Sequence, residues 1–272
     1  MKIETNGISL EVAVEGEGDA VLLLHGFPDT HRLWKSQVPA LVDAGYRTVA
    51  PDMRGFGDSE KPEGVENYFI LHATEDLKGV LDELGIDRVH VVGHDWGSAT
   101  AWVFASLYPD RVASLTAISV GHPAAFQGAG FEQYARSWYM FMFQFEGVAE
   151  QWISRNDWEF LRLGFGGSTD VEERIEFLSR PGALTAALNW YRANVPPQSW
   201  ISEPPALPPI AAPTMAIWSS GDVALGEDQM TGSQKHVTGP WRYERIEDVG
   251  HWVPTDAAER LNELLIDFLA SV

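Results

Sequence analysis

Residues 8–14 alternate apolar and polar side chains, the period of a strand with one face buried. Positions 21–24, 48–50, 89–92, 115–119 and 215–218 are instead short unbroken apolar runs. Such runs predict strands covered on both faces, as in a parallel sheet. Between them, 31–43 (Leu33, Trp34, Val38, Leu41), 70–84 (Leu77, Val80, Leu81, Leu84) and 97–108 carry helical spacing. A last helix is predicted over 256–270, with Asp256 behind Pro254 as its N-cap. Strands alternating with helices in this way predict β-α-β crossovers and an α/β fold.

The alternation stops after Ser119. From 123 to 205 only helical patterns are present, broken at Gly164-Phe165-Gly166-Gly167 and at Pro181-Gly182. The exit, 203–213, contains five prolines and reads as a stiff connector. The expected organisation is therefore a core of residues 1–122 and 206–272 with a helical cap, residues 123–205, inserted in it. That insertion holds 16 of the 31 aromatic residues, which suits a helical subdomain whose aromatics also line a pocket.

With 19 Lys+Arg against 39 Asp+Glu, the chain carries a formal charge of −20. Such a surface repels nucleic-acid phosphates and anionic membranes, so neither is an expected partner. Absence of cysteine excludes disulfides, thiolate metal sites and a cysteine nucleophile. No apolar signal stretch opens the sequence and no run is long enough to span a bilayer, so a cytoplasmic location is expected. The histidines are scattered without ligand spacing, and no metal or cofactor is expected.

One segment carries chemistry on its face. The strand at 89–92 runs into Gly93-His94-Asp95-Trp96-Gly97 and then a helix rich in small residues. Strand, G-x-nucleophile-x-G, helix describes a sharp turn that projects one side chain, with glycines where the turn is crowded. The projecting residue here is Asp95 in place of serine; a helix N-cap is the alternative reading of that aspartate. The strand at 21–24 ends in His25-Gly26-Phe27-Pro28, placed to supply an oxyanion-hole amide from Phe27 beside that of Trp96. Asp222 follows the strand at 215–218, and His251 follows a short strand pattern at 242–246. Asp95, Asp222 and His251 thus stand in the order nucleophile, acid, histidine. His25 and His94 are expected to be structural.

These motifs, together with Pro51-Asp52-Met53-Arg54-Gly55-Phe56-Gly57-Asp58-Ser59 and Gly250-His251-Trp252, resemble the α/β-hydrolase-fold epoxide hydrolases over nearly the whole chain. The resemblance implies an α/β-hydrolase fold, a mostly parallel sheet flanked by helices with an inserted helical cap. Its core motifs are shared with haloalkane and haloacetate dehalogenases. An aspartate attacking an sp³ carbon gives an ester that water can cleave, whereas serine would give an inert ether. The resemblance also implies two cap tyrosines that donate to the opening epoxide. Tyr139, in Trp138-Tyr139-Met140-Phe141, and Tyr191, in Asn189-Trp190-Tyr191-Arg192, match those positions, leaving Tyr134 as the spare. The expected substrate is a small neutral apolar epoxide, with water as co-substrate. The alternatives are a haloalkane or haloacid dehalogenase using the same aspartate and, less favoured, a non-catalytic small-molecule receptor. The sequence specifies neither the epoxide nor the oligomeric state.

Overall fold

The computed structural model of the protein describes residues 1–164, 170–204 and 206–272. The break at Phe165-Gly166-Gly167 and the expected boundary at residue 205 lie outside the described residues.

Eight strands form one sheet: β1 (Lys2–Thr5), β2 (Ile8–Glu15), β3 (Ala20–Leu24), β4 (Arg47–Pro51), β5 (Val89–His94), β6 (Val112–Ile118), β7 (Thr214–Ser219) and β8 (Trp241–Ile246). Their order across the sheet is β1-β2-β4-β3-β5-β6-β7-β8. The β1–β2 and β2–β4 pairs are antiparallel and every other pair is parallel. The apolar runs become buried strands because both faces are covered. Leu22, Leu24, Val89 and Val91 face one core, which also takes up helices α2 (Ile70–Glu83) and α3 (Trp96–Leu107). Val21, Leu23 and Val92 face the other, closed by Leu41 and the C-terminal Leu261, Leu264, Leu265 and Phe268.

Three local expectations need correction. β1 was not anticipated; it pairs with β2 across Asn6-Gly7, both at positive φ, the turn chemistry of a two-residue hairpin. Residues 31–43 are not one helix. They form a 3-10 turn, His31–Trp34, and a short helix α1, Gln37–Asp43. Pro39 has no N–H to bond Lys35 across a continuous helix, but it fits the first turn of α1, where donors are unpaired anyway. Asp256 does not cap the last helix. A turn of helix over Val253–Asp256 consumes it, and Ala257 precedes the helix Ala258–Leu269.

Between β6 and β7 the described residues contain no strand. Among the described residues six α-helices occupy this stretch, α4 (Pro123–Gln127), α5 (Gly130–Arg136), α6 (Trp138–Phe143), α7 (Val148–Leu163), α8 (Val171–Leu178) and α9 (Ala183–Asn194), followed by a 3-10 turn, Pro197–Trp200. A kink interrupts α7, where Asn156, Asp157 and Trp158 have left-handed backbone. The inner faces of α6 and α9 settle on the loops that leave β3, β4 and β5. Phe27 meets Phe143 and Tyr191, Trp96 meets Trp190 and Tyr191, and Phe56 meets Trp190, with ring centroids 5.1–6.1 Å apart. α6 and α9 therefore lie over the carboxyl ends of β3, β4 and β5, where ligands of open α/β sheets bind.

Candidate active site

Asp95 sits between β5 and α3 with no intervening loop residue, at φ 54° and ψ −122°. That geometry demands small neighbours. A Cβ on Gly93 would run into the Gly97 carbonyl, and one on Gly97 into the Leu24 carbonyl of β3. Holding a non-glycine residue in this region costs of order 1–3 kcal/mol, which packing on both sides of the turn offsets. The result is a buried carboxylate projecting over the end of the sheet, 8% exposed.

Its partners are fixed by the next loops. The Phe27 amide donates to Asp95 Oδ1 at 2.8 Å, and the Trp96 amide also hydrogen-bonds the carboxylate. Burial alone would raise the Asp95 pKa, but His251 and the Trp96 amide favour the anion and hold it below the usual carboxylate value. His251 lies on the loop after β8, its Nε2 3.6 Å from Asp95 Oδ2. Its Nδ1 is 2.7 Å from Asp222 Oδ2. Asp222, on the loop after β7, accepts at Oδ1 from the Ala224 and Leu225 amides at 2.8 and 2.9 Å, which locks its carboxylate plane. Burial would depress the His251 pKa, yet the Asp222 and Asp95 carboxylates push it up to about 10. The ring is clamped between two carboxylates that favour its protonated form.

Tyr139 of α6 and Tyr191 of α9 are both buried, with ring centroids 6.2 Å apart. They line one cavity of about 480 Å³ together with Asp95 and Trp96. Burial raises both phenols well above their ordinary pKa, and the nearby Asp95 charge adds to this, so both remain O–H donors. Tyr134 borders the same cavity, but its hydroxyl donates to the Gln127 carbonyl at 2.7 Å. The structure thus brings all seven sequence-derived positions together: Asp95, Asp222, His251, Tyr139, Tyr191, Phe27 and Trp96.

The flanking histidines have backbone partners. His25 Nε2 accepts from the Met53 amide at 2.9 Å, and its Nδ1 is 3.0 Å from the Gly26 carbonyl. His94 Nε2 donates to the His251 carbonyl at 2.9 Å, and burial lowers its pKa to about 4. Among the described residues no group of three His, Cys, Asp or Glu could hold a metal ion. Sequence reasoning missed much of the cavity wall, including Val120, Phe126, Trp200 and Leu225. None of these belongs to a motif; the aromatic richness of the insertion hinted at Phe126 and Trp200, and nothing marked Val120 or Leu225.

The profile of the alpha/beta hydrolase fold family matches residues 19–258. AB hydrolase superfamily protein YfhM of Bacillus subtilis is 34% identical over 98% of this chain and 96% of that protein. Epoxide hydrolase A of Mycobacterium tuberculosis is 31% identical over 99% of this chain and 97% of its own length. The chain belongs to the α/β-hydrolase family, in its epoxide hydrolase branch. The crystal structure of epoxide hydrolase A from Mycobacterium thermoresistibile superposes with a TM-score of 0.84 at 30% identity, covering 99% of this chain and 97% of that one. The family's mostly parallel sheet and flanking helices are those described above. Among the described residues no helix is long and apolar enough to cross a membrane.

Proposed function

We propose that the protein is an epoxide hydrolase, which opens a neutral epoxide with water to a vicinal diol through an ester on Asp95. The observation that carries this reading is the joint exposure of one carboxylate and two phenolic donors to a single cavity with largely apolar walls. Residues 123–205 act as the cap that brings the phenols to the core.

Asp95 attacks an epoxide carbon while Tyr139 and Tyr191 hold the oxygen and one of them donates its proton. A carbon–oxygen bond of the epoxide breaks, leaving a hydroxyalkyl ester and a tyrosinate. Esterification removes the Asp95 charge, one of the two carboxylates that keep His251 protonated. The ring then passes its proton to the tyrosinate and becomes a base at the step that needs one. Water gives a proton to His251 and attacks the Asp95 carbonyl carbon. The Phe27 and Trp96 amides bind the oxyanion, which collapses to release the diol with the second water proton on its oxygen. Asp222 orients the ring throughout.

The test is substitution of the base. His251→Gln is expected to stop turnover and to leave a covalent adduct of substrate mass on the peptide containing Asp95. No adduct with any member of a broad epoxide panel would refute the reading. The dehalogenase alternative uses the same aspartate, but Trp96, its best halide donor, makes a side-chain hydrogen bond with Tyr191. Tyr139→Phe combined with Tyr191→Phe separates the two reactions. Epoxide opening is expected to fall by about 10²-fold or more, the scale of lost acid catalysis. A dehalogenase would be unaffected.

A further inference from the structure

A buried ion pair joins the helical insertion to both loops that frame Asp95. Asp29 lies two residues after Phe27 and Arg174 lies on α8; both are buried. Asp29 Oδ1 accepts from Arg174 Nε at 2.6 Å, and its Oδ2 accepts from the Trp252 indole at 3.0 Å. The Arg174 guanidinium lies over the Trp252 ring, 4.4 Å from its centroid. Trp252 follows His251 directly and stands edge-on to its imidazole, centroids 5.3 Å apart. On the other side, the Asp29 amide bonds the Gly26 carbonyl at 2.9 Å, closing the turn that aims the Phe27 amide at Asp95.

This pair is one of several ties between the insertion and the core. Three exposed ion pairs already cross the same seam: Lys35 with Asp170, Arg32 with Glu173, and Arg180 with Asp58. A buried pair is costly to desolvate and is weak evidence for stability alone. Its partners here are the oxyanion turn and the residue beside the base.

We propose that Arg174 is a positioning residue for cleavage of the ester: through Asp29 and Trp252 it sets the Phe27 amide and the His251 ring relative to the Asp95 carbonyl. The role rests on the reaction proposed above. Ester formation depends chiefly on Asp95 and the two tyrosines, whereas ester breakdown needs the base and the oxyanion hole together. Loss of Arg174 therefore slows breakdown selectively.

Single-turnover reactions with styrene oxide, quenched in acid, measure the two steps separately. Arg174→Met is expected to leave ester formation within about threefold and to slow breakdown about tenfold or more, as small misplacements of reacting groups do. The ester accumulates as a result, and the pH at half-maximal breakdown shifts. Arg174→Lys, which retains the charge, recovers part of the lost rate. Asp29→Asn, a milder change that keeps an acceptor for Trp252, slows the same step less and serves if Arg174→Met does not fold. Lys35→Met, which cuts an exposed tie across the same seam, leaves the ratio of the two steps unchanged. Equal slowing of both steps, or a ratio no different from that of Lys35→Met, would overturn the role of Arg174. If the unaltered protein does not turn over styrene oxide, the same comparison is made with another member of the epoxide panel, and absence of turnover across the whole panel would overturn the reaction itself.

Discussion

Asp95 keeps its unfavourable backbone because neighbouring segments leave it no alternative. β3 presses on Gly97, the turn presses on itself at Gly93, and the loop after β3 passes so close that a Cβ on Gly26 would stand 2.5 Å from Asp95 Cβ and 2.6 Å from the Trp96 amide nitrogen. Gly26→Ala is therefore expected to displace an oxyanion donor and to lower kcat by about 10²-fold, and to lower Tm as well, because overpacking of this kind costs about 1–3 kcal/mol. The charges at the site also predict a pH dependence. In the proposed mechanism ester breakdown needs neutral His251, so its rate is expected to rise with pH through the ring's pKa in the ester, which lies below that of the free enzyme once the Asp95 charge is gone. Ester formation in that mechanism needs ionised Asp95 and protonated tyrosines; the Asp95 pKa is held below the usual carboxylate value and both phenols are raised, so this step stays level over the range in which breakdown falls. Lowering pH should thus make the ester accumulate, as rapid-quench mass spectrometry can show. Asp95, Asp222 and His251, which the structure brings together, were legible as candidates because each follows a strand in a short motif, whereas Tyr139 and Tyr191 were marked only by resemblance to a family. Arg174 was not legible, since its partner Asp29 is 145 positions away and nothing local marks the pair.

At the scale of elements, strands buried on both faces were legible because continuous apolar runs have few other uses. The β1–β2 hairpin was missed although its Asn6-Gly7 turn is a strong local signal; residues 2–5 carry too few apolar positions to stand out. β1 earns its place by tertiary contact with α2. A Cβ on Gly79, in the interior of α2, would collide with the Thr5 hydroxyl and stand 2.9 Å from Thr5 Cβ. Helix propensity alone makes Gly79→Ala stabilising by about 1 kcal/mol. The contact reverses the sign, and urea unfolding is expected to show a net loss of about 1 kcal/mol or more. Thr5→Gly in the same chain should restore the gain, because it removes the obstructing side chain. The split of 31–43 and the misassigned cap at Asp256 share a cause: a proline near a helix start, Pro39 or Pro254, relocates the first turn in a way that apolar spacing does not reveal.

For the whole molecule, the buried histidines pull stability in two directions. Burial lowers the pKa of His94 to about 4 and of His122 to about 3, so between about pH 6.5 and these values the unfolded chain binds more protons than the folded one. Stability is lost as pH falls through that window. His251, raised to about 10, acts oppositely: its contribution is full below about pH 6.5 and is lost as pH rises toward 10. Tm is therefore expected to peak near neutrality. His122→Asn, which keeps an acceptor for the Ala124 amide, should flatten the acid limb, and His251→Gln the alkaline one. The helical insertion has a consequence for assembly as well. It separates β6 from its parallel neighbour β7 by 95 residues of chain, from 119 to 213, so closing that pair costs about 4 kcal/mol of loop entropy unless the insertion has already condensed. The sheet from β3 to β6, with the Asp95 turn inside it, is bounded by shorter crossovers and should acquire amide protection first in pulse-labelled refolding. β7 and β8 dock afterwards, bringing Asp222 and His251. On the proposed mechanism the nucleophile is built before the groups that act on its ester, so a chain caught part-way through folding turns nothing over.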